Sequence, residues 1–398
     1  VATTSAAERA VDINHLRELA QKRLPVALFD NLDNGNEDDV AVRHNGEALR
    51  ALKLVHRVLR DTSRRDASAS LFGKRHGLPL VIAPTGVTSW ISYRGEVALA
   101  RAAATANIPF VLTSTTNTPM ETVRKEGGGT QWYQPVVWQD TRATLEEIDR
   151  ARRAGFDGLV LSVDTTIGFN QPRDKRRGLT FPMKFRPSHL IEAVHHPRWT
   201  FGTACRYLLT ERRLPGFANV TVPSALTPAE RKRFLVRDDS LTWDFLRRVR
   251  DSWPHALIVK GLLHPDDALS AADAGADAVV VSNHGGRTID AAPAPIELLP
   301  EVVAAVGGRV PVLVDGGFTR GSDVLKAVAL GADAVMIGRA TLYGLAAGGE
   351  LGAQRALTIL REEVERTMGA LGLTRLSELG RDVLLTPGDL ASLLVAAR

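Results

Sequence analysis

From residue 79 onward, short apolar runs alternate with stretches whose apolar residues recur at helical spacing. Residues 79–84, 110–113, 132–134, 158–164, 257–260, 278–283, 310–316 and 334–338 read as buried strands, because each is a continuous apolar run bounded by Gly, Pro or polar residues. Amphipathic segments at 96–107, 120–126, 144–154, 242–253, 265–274, 295–306, 322–330 and about 339–371 read as the intervening helices. Eight strand–helix units in succession predict a parallel sheet closed into a (β/α)8 barrel. A doubly wound open sheet is disfavoured, since no Gly-x-Gly-x-x-Gly follows the first strand. The Gly-Ala-Asp-Ala-Val sequence occurs at Gly275 and again at Gly331, each time at a helix-to-strand link, which marks repeated barrel geometry.

The segments outside this pattern complete the outline. Residues 1–78 are expected to form a helical extension, and about 171–240 an insertion after the fourth strand, within one domain spanning 1–398. At 398 residues and 44% hydrophobic, the chain can bury a large core. One cysteine, Cys205, excludes an internal disulfide framework and favours a reducing compartment. No apolar run reaches the ~18 residues of a membrane-spanning helix, and the N-terminus lacks a signal pattern. A cytoplasmic protein is expected. The net charge of +5 is uneven: residues 171–235 hold 13 Lys/Arg against four Asp/Glu, a local +9, which leaves about −4 for the rest. Confinement to one segment, and the absence of zinc-ligand or RNA-binding signatures, argue against a nucleic-acid partner or a metal site.

In such barrels the active site lies at the C-terminal ends of the strands. Polar residues collect there: Thr85, Thr113, Gln134, Ser162 with Asp164, Lys260, Ser282 with His284, Asp315 and Arg339. Ser282-Asn283-His284-Gly285-Gly286-Arg287 places a base-capable histidine three residues before a fixed cation at one strand end, and two glycines between them allow a sharp turn. This suits catalysis on an anionic substrate. Asp315-Gly316-Gly317 through Ser322, and Gly338-Arg339, close the last two strands and suit a phosphate, with Arg320 and Arg339 supplying charge.

These residues carry a resemblance. With Arg23-Leu24-Pro25, Ala83-Pro84-Thr85-Gly86, Val163-Asp164 and Val259-Lys260-Gly261, they resemble the FMN-dependent 2-hydroxy acid dehydrogenase and oxidase family over almost the whole chain. Arg339 to Ala347 and Trp253-Pro254-His255 look most like its mandelate dehydrogenase members. The resemblance implies FMN as cofactor, lined by Ala83, Pro84, Thr85, Gly86, Thr113, Gln134, Ser162 and Ser282, with Lys260 near the N1/O2 edge of the ring. Asp315, Gly317, Arg320, Gly338 and Arg339 are implied to hold the ribityl chain and phosphate. His284 is implied as the catalytic base, paired with Asp164. Arg287 is implied to grip the substrate carboxylate, and flavin N5 to receive the electrons. A homotetramer and an electron acceptor, oxygen or a quinone, are implied as well. Gly86, where many oxidases have alanine, resembles the dehydrogenase version.

Departures from the family cluster in the substrate pocket. Asn31 and Val136 stand where tyrosines are usual, and Gln171 stands where a second arginine follows strand four, with Arg173 two residues on. Thr319 replaces a phosphate-side arginine, adjacent to Arg320. The expected substrate is therefore a larger 2-hydroxy acid or a derivative, oxidised to the 2-oxo compound. The alternative is another reaction on the same flavin, oxidative decarboxylation or a non-redox isomerisation, on a substrate lacking a free α-carboxylate. A non-catalytic binding protein is a third possibility, disfavoured by the intact His284 and Asp164. The basic insertion, with Phe181, Phe185, Trp199, Phe201, Tyr207 and Phe217, is expected as a lid, a subunit contact or a peripheral attachment to the inner face of a membrane.

Overall fold

The structure is a computed structural model, and it describes residues 5–179, 186–220 and 236–389. Eight parallel strands close a barrel: β1 (Leu80–Ile82), β2 (Phe110–Thr113), β3 (Gln131–Gln134), β4 (Gly158–Ser162), β5 (Ala256–Leu262), β6 (Ala278–Val281), β7 (Val312–Val314) and β8 (Ala334–Ile337). Closure is made by β8 on β1, with Val335 opposite Leu80 and Ile337 opposite Ile82. The strands are apolar throughout because both faces are buried. Val81, Val111, Trp132, Val160, Ile258, Val280, Leu313 and Met336 fill the barrel interior. Their neighbours, such as Leu80, Leu112, Leu159, Val259 and Val335, pack outward against the helices.

The repeated Asp of the helix-to-strand links has a structural task. Asp277 Oδ2 accepts from the Leu257 amide at 2.8 Å, and Asp333 Oδ2 from the Val312 amide at 2.8 Å. Each carboxylate thus satisfies an amide at or beside the start of the preceding strand. Asp157, preceding β4, does the same for Gln131.

The extension before β1 is not wholly helical. It holds α1 (Ile13–Arg23), α2 (Val26–Asp33) and α3 (Val40–Ala51), but also a hairpin, Ala69–Leu71 with Lys74–His76, and a short strand Lys53–Leu54 that pairs with Leu384–Leu385. The hairpin's Phe72 meets Trp132 edge-on at 5.7 Å and plugs the N-terminal mouth of the barrel. The last helical region, Arg339–Leu371, is two helices joined at Gly348 and Gly349, whose backbone angles are non-helical. Residues 180–185 and 221–235 of the insertion, including Phe181 and Phe185, lie outside the described residues.

Candidate active site

A cleft of about 590 Å³ opens at the C-terminal ends of the strands. The turn after β6 enters it under backbone constraint. His284, Gly285 and Gly286 all have positive φ, at 55°, 65° and 77°, a region disfavoured for a histidine. Surrounding contacts hold the turn there. Ser282 Oγ accepts from the His284 amide at 3.0 Å, Asn283 exchanges two side-chain hydrogen bonds with Asn45 of α3, and the Asn36 amide donates to Gly286 O at 2.8 Å.

This turn presents His284 Nδ1 to Asp164 at 3.2 Å from both carboxylate oxygens. Gly261, with φ of 107°, makes room for that carboxylate: a Cβ there would lie 2.5 Å from Asp164 Cγ. Nε2 has no protein partner among the described residues. Burial pushes the His284 pKa down; Asp164 pulls it back and Lys260 opposes, leaving it below the ordinary histidine value. Burial also raises Asp164, but His284 and Lys260 outweigh that and hold it below the usual carboxylate range.

Lys260 is buried and triply committed. Its ammonium lies 2.8 Å from Asp315 Oδ2 and donates to Ser282 Oγ at 2.7 Å, with Asp164 also in its field. Burial lowers its pKa, but Asp315 and Asp164 more than offset that, so it stays a cation. Around it the cleft is lined by Ala83, Pro84, Thr85, Gly86, Thr113, Gln134, Gly317, Gly338 and Arg339. Thr113 Oγ1 donates to Gln134 Oε1 at 2.5 Å. Thr85 Oγ1, Ser162 Oγ and Asp315 Oδ1 are buried without a protein partner, which is costly unless a ligand satisfies them.

The residues expected at the phosphate separate. Thr319 and Arg339 line the cleft, but Arg320 does not. Arg320 is turned outward into ion pairs with Asp12 at 2.9 Å and Glu363 at 2.8 Å, so its expected cofactor contact is corrected. The reason is its place before the helix Gly321–Ala329: one position after Thr319, its side chain leaves on the opposite side, toward α1. Two cations that sequence reasoning missed, Arg17 and Arg50, line the cleft from α1 and α3. Arg17 is paired with Asp33 at 2.5 Å.

On the substrate side, Asn31, Val136, Gln171 and Arg287 all line the cleft. Arg287 Nη1 donates to Asn31 O at 2.8 Å. With its amide oriented to satisfy both neighbours, Gln171 accepts from Arg287 Nη2 at 2.8 Å and donates to Asp174 at 3.1 Å. Asn31 Nδ2 also donates to Asp174, at 2.5 Å. Gln171 therefore braces Arg287. Arg173 cannot stand in for a second clamp, because it pairs with Asp39 and Asn34 away from the cleft. Burial, with Arg339 and Arg237 nearby, pushes the Arg287 pKa down to about 10. Phe169 and Arg237, neither singled out from sequence, also line the cleft.

The model of the family described as FMN-dependent dehydrogenase matches residues 20–386. The chain belongs to the FMN-dependent dehydrogenase family. Its FMN-dependent dehydrogenase relatives include the (S)-mandelate dehydrogenase of Pseudomonas putida, 39% identical over 95% of this chain and 94% of that protein. A putative L-lactate dehydrogenase of Mycobacterium tuberculosis is 39% identical over 93% of this chain and 88% of that one. The crystal structure of the monotopic membrane protein (S)-mandelate dehydrogenase superposes with a TM-score of 0.89 at 37% identity, covering 95% of this chain and all of the other. This chain is accordingly an FMN-dependent oxidoreductase of the 2-hydroxy acid dehydrogenase and oxidase family with a (β/α)8 barrel. The orphaned Thr85 and Asp315 atoms fit that cofactor, being buried hydrogen-bonding groups on residues that line the cleft.

Proposed function

We propose that this enzyme oxidises a bulky 2-hydroxy acid, or a derivative of one, to the 2-oxo compound, with His284 as base. The observation that carries this reading is the Asp164–His284 pair, whose Nε2 has no protein partner, in one cleft with the cation of Arg287. A neutral imidazole is needed to take the hydroxyl proton, and the lowered pKa keeps it neutral. Asp164 fixes the ring through Nδ1 and stabilises the charge that develops when Nε2 is protonated. Arg287 orients the acid group, and Gln171 holds its fork in place. FMN, when bound, supplies the acceptor for the two electrons and the α-hydrogen. Ala83 to Gly86, Thr113, Gln134, Ser162, Ser282 and Lys260 would hold its ring end. Asp315, Gly317, Thr319, Gly338 and Arg339 would hold its tail, and Lys260 would balance negative charge at the ring. Val136 and Phe217 give the cleft apolar surface without a hydroxyl, which favours a large apolar substituent.

Anaerobic mixing of the FMN-loaded enzyme with lactate, mandelate, phenyllactate and their esters tests the reading. Loss of visible flavin absorbance with the larger hydroxy acids is expected; no bleaching by any of them would remove its basis.

The insertion supports a peripheral membrane contact. On the helix Pro187–His195, Leu190, Ile191 and Val194 share one face and are exposed, Val194 at 78%. Phe201, Leu208 and Leu209 are exposed on the following helical stretch, with Arg198, Arg212 and Arg213 nearby in sequence. Apolar residues flanked by arginines suit an anionic lipid surface. No helix among the described residues is long and apolar enough to cross a membrane. Co-sedimentation with anionic vesicles is expected, and to be lost when Ile191, Val194 and Leu209 are changed to Ser; equal partitioning of both forms would exclude the contact.

A further inference from the structure

Arg237 is the unexpected charge in this cleft. It lies at the far end of the insertion, and a backbone ladder holds it in place. It bridges antiparallel to Trp138, with the Gln139 amide donating to Val236 O at 2.9 Å and the Asp238 amide to Val137 O at 3.1 Å. Its side chain runs into the cleft, where Nη1 donates to Thr165 O at 2.9 Å. Its guanidinium carbon lies 4.6 Å from the centre of the Phe169 ring. Arg287 lies 5.8 Å from the same ring, and the His284 ring 5.5 Å from it. Two guanidiniums and the proposed base thus lie within 5.8 Å of the centre of one phenyl ring.

Neither arginine is neutralised. Among the described residues no carboxylate lies within ion-pair distance of Arg237 or Arg287; their hydrogen-bond partners are the backbone carbonyls of Thr165, Asn31 and Asn34 and the Gln171 amide. Cations that share a buried cleft without an ion-paired counter-charge disfavour one another, and burial lowers the pKa of both, against a partial opposing pull from Asp164 on Arg237 and from Asp174 on Arg287. Phe169 offsets part of this through its ring face. An anion bound between them would remove the rest, because each guanidinium keeps donors that no carbonyl uses.

We propose that Arg237 and Arg287 together form a carboxylate clamp, with Arg237 supplying from the far end of the insertion the second cation that position 171 lacks. The substrate then carries a free carboxylate, which rests on the reading of the site as a hydroxy-acid oxidation site. Position 171 then supports Arg287, and position 237 binds.

The test uses the FMN-loaded full chain and its Arg237→Leu and Arg237→Lys variants. Oxalate, a non-reactive dianion, is titrated by its perturbation of the flavin spectrum, and anaerobic flavin reduction is compared for (S)-mandelate and its methyl ester. Arg237→Leu should weaken oxalate by ~30-fold or more and slow reduction by mandelate at low concentration, while the ester changes by less than about 3-fold. Arg237→Lys, which retains charge and serves should the leucine variant fail to fold, should recover part of the oxalate affinity while remaining weaker than wild type. Unchanged oxalate affinity in either variant, or equal losses for acid and ester, overturns the clamp. Reduction by hydroxy acids that is indifferent to Arg237 sinks the clamp and leaves the oxidation reading standing. Arg237-dependent oxalate binding without flavin reduction by any hydroxy acid does the reverse.

Discussion

On the wall of the cleft built by β4 to β7, Lys260 lies against Asp315 and Ser282, and Asp164 lies against His284. On an adjoining face, Arg287 of the same β6 turn and Arg237 of the insertion are directed at backbone carbonyls and an amide. The first wall gives each of its buried charged groups a partner within the protein. The second leaves its cations to be completed by a ligand. The redox wall is therefore settled by folding, while the recognition wall is polarised toward an anion.

Several variants would sharpen or break this contrast. The largest effect belongs to His284→Ala, which should slow flavin reduction by about 10²–10⁴-fold while FMN stays bound; a rate within a few-fold of wild type would remove histidine from the base role. Next, Lys260→Met leaves Asp315 buried without its cation and should cost about 3–5 kcal/mol in denaturant unfolding at fixed FMN concentration. Arg287→Met in the same assay should cost about 1 kcal/mol or less, since loss of its charge-assisted hydrogen bonds is offset by removal of a buried cation that has no ion-pair partner. Comparable losses for the two variants would erase the distinction between the walls.

The pH profile gives a smaller signal. The base works when neutral, and burial holds the His284 pKa down, so the acid limb of the reduction rate should be centred below pH ~6.5. An acid limb centred above that value would mean that Asp164 outweighs burial. The smallest effect is expected for Arg320→Ala. Its pairs with Asp12 and Glu363 are partly exposed, so FMN affinity should fall by less than about 5-fold. A large loss in a flavin-release titration would return Arg320 to the phosphate.

The barrel was legible because its strands are uninterrupted apolar runs between glycine-rich links, a pattern that survives without any tertiary information. His284, Asp164 and Lys260 were legible for the related reason that barrel geometry sends strand ends to one mouth. The hairpin at 69–76 was not, since its strands are three residues each and one of them is Lys-Arg-His. Arg320 was misplaced because its partners Asp12 and Glu363 come from distant helices, and nothing local distinguishes an inward from an outward arginine. Arg237 was hidden among the many cations in and beside the insertion; only its pairing with Trp138, a contact across about a hundred residues of chain, gives it a direction.

Both ends of the insertion reach the cleft: Phe169 and Gln171 where the chain departs from the barrel, Phe217 and Arg237 as it returns. Its middle carries the exposed apolar face of Leu190, Ile191 and Val194. One stretch of chain thus carries both an exposed apolar face and part of the cleft lining. Under the proposed membrane contact and clamp, a recombination that replaced residues 170–238 would exchange the attachment face and one of the two clamp arginines in one event, while Lys260, His284, Arg287 and Asp315 stayed with the host barrel. Selection acting on where such an enzyme resides would then alter, as a by-product, which acids it accepts.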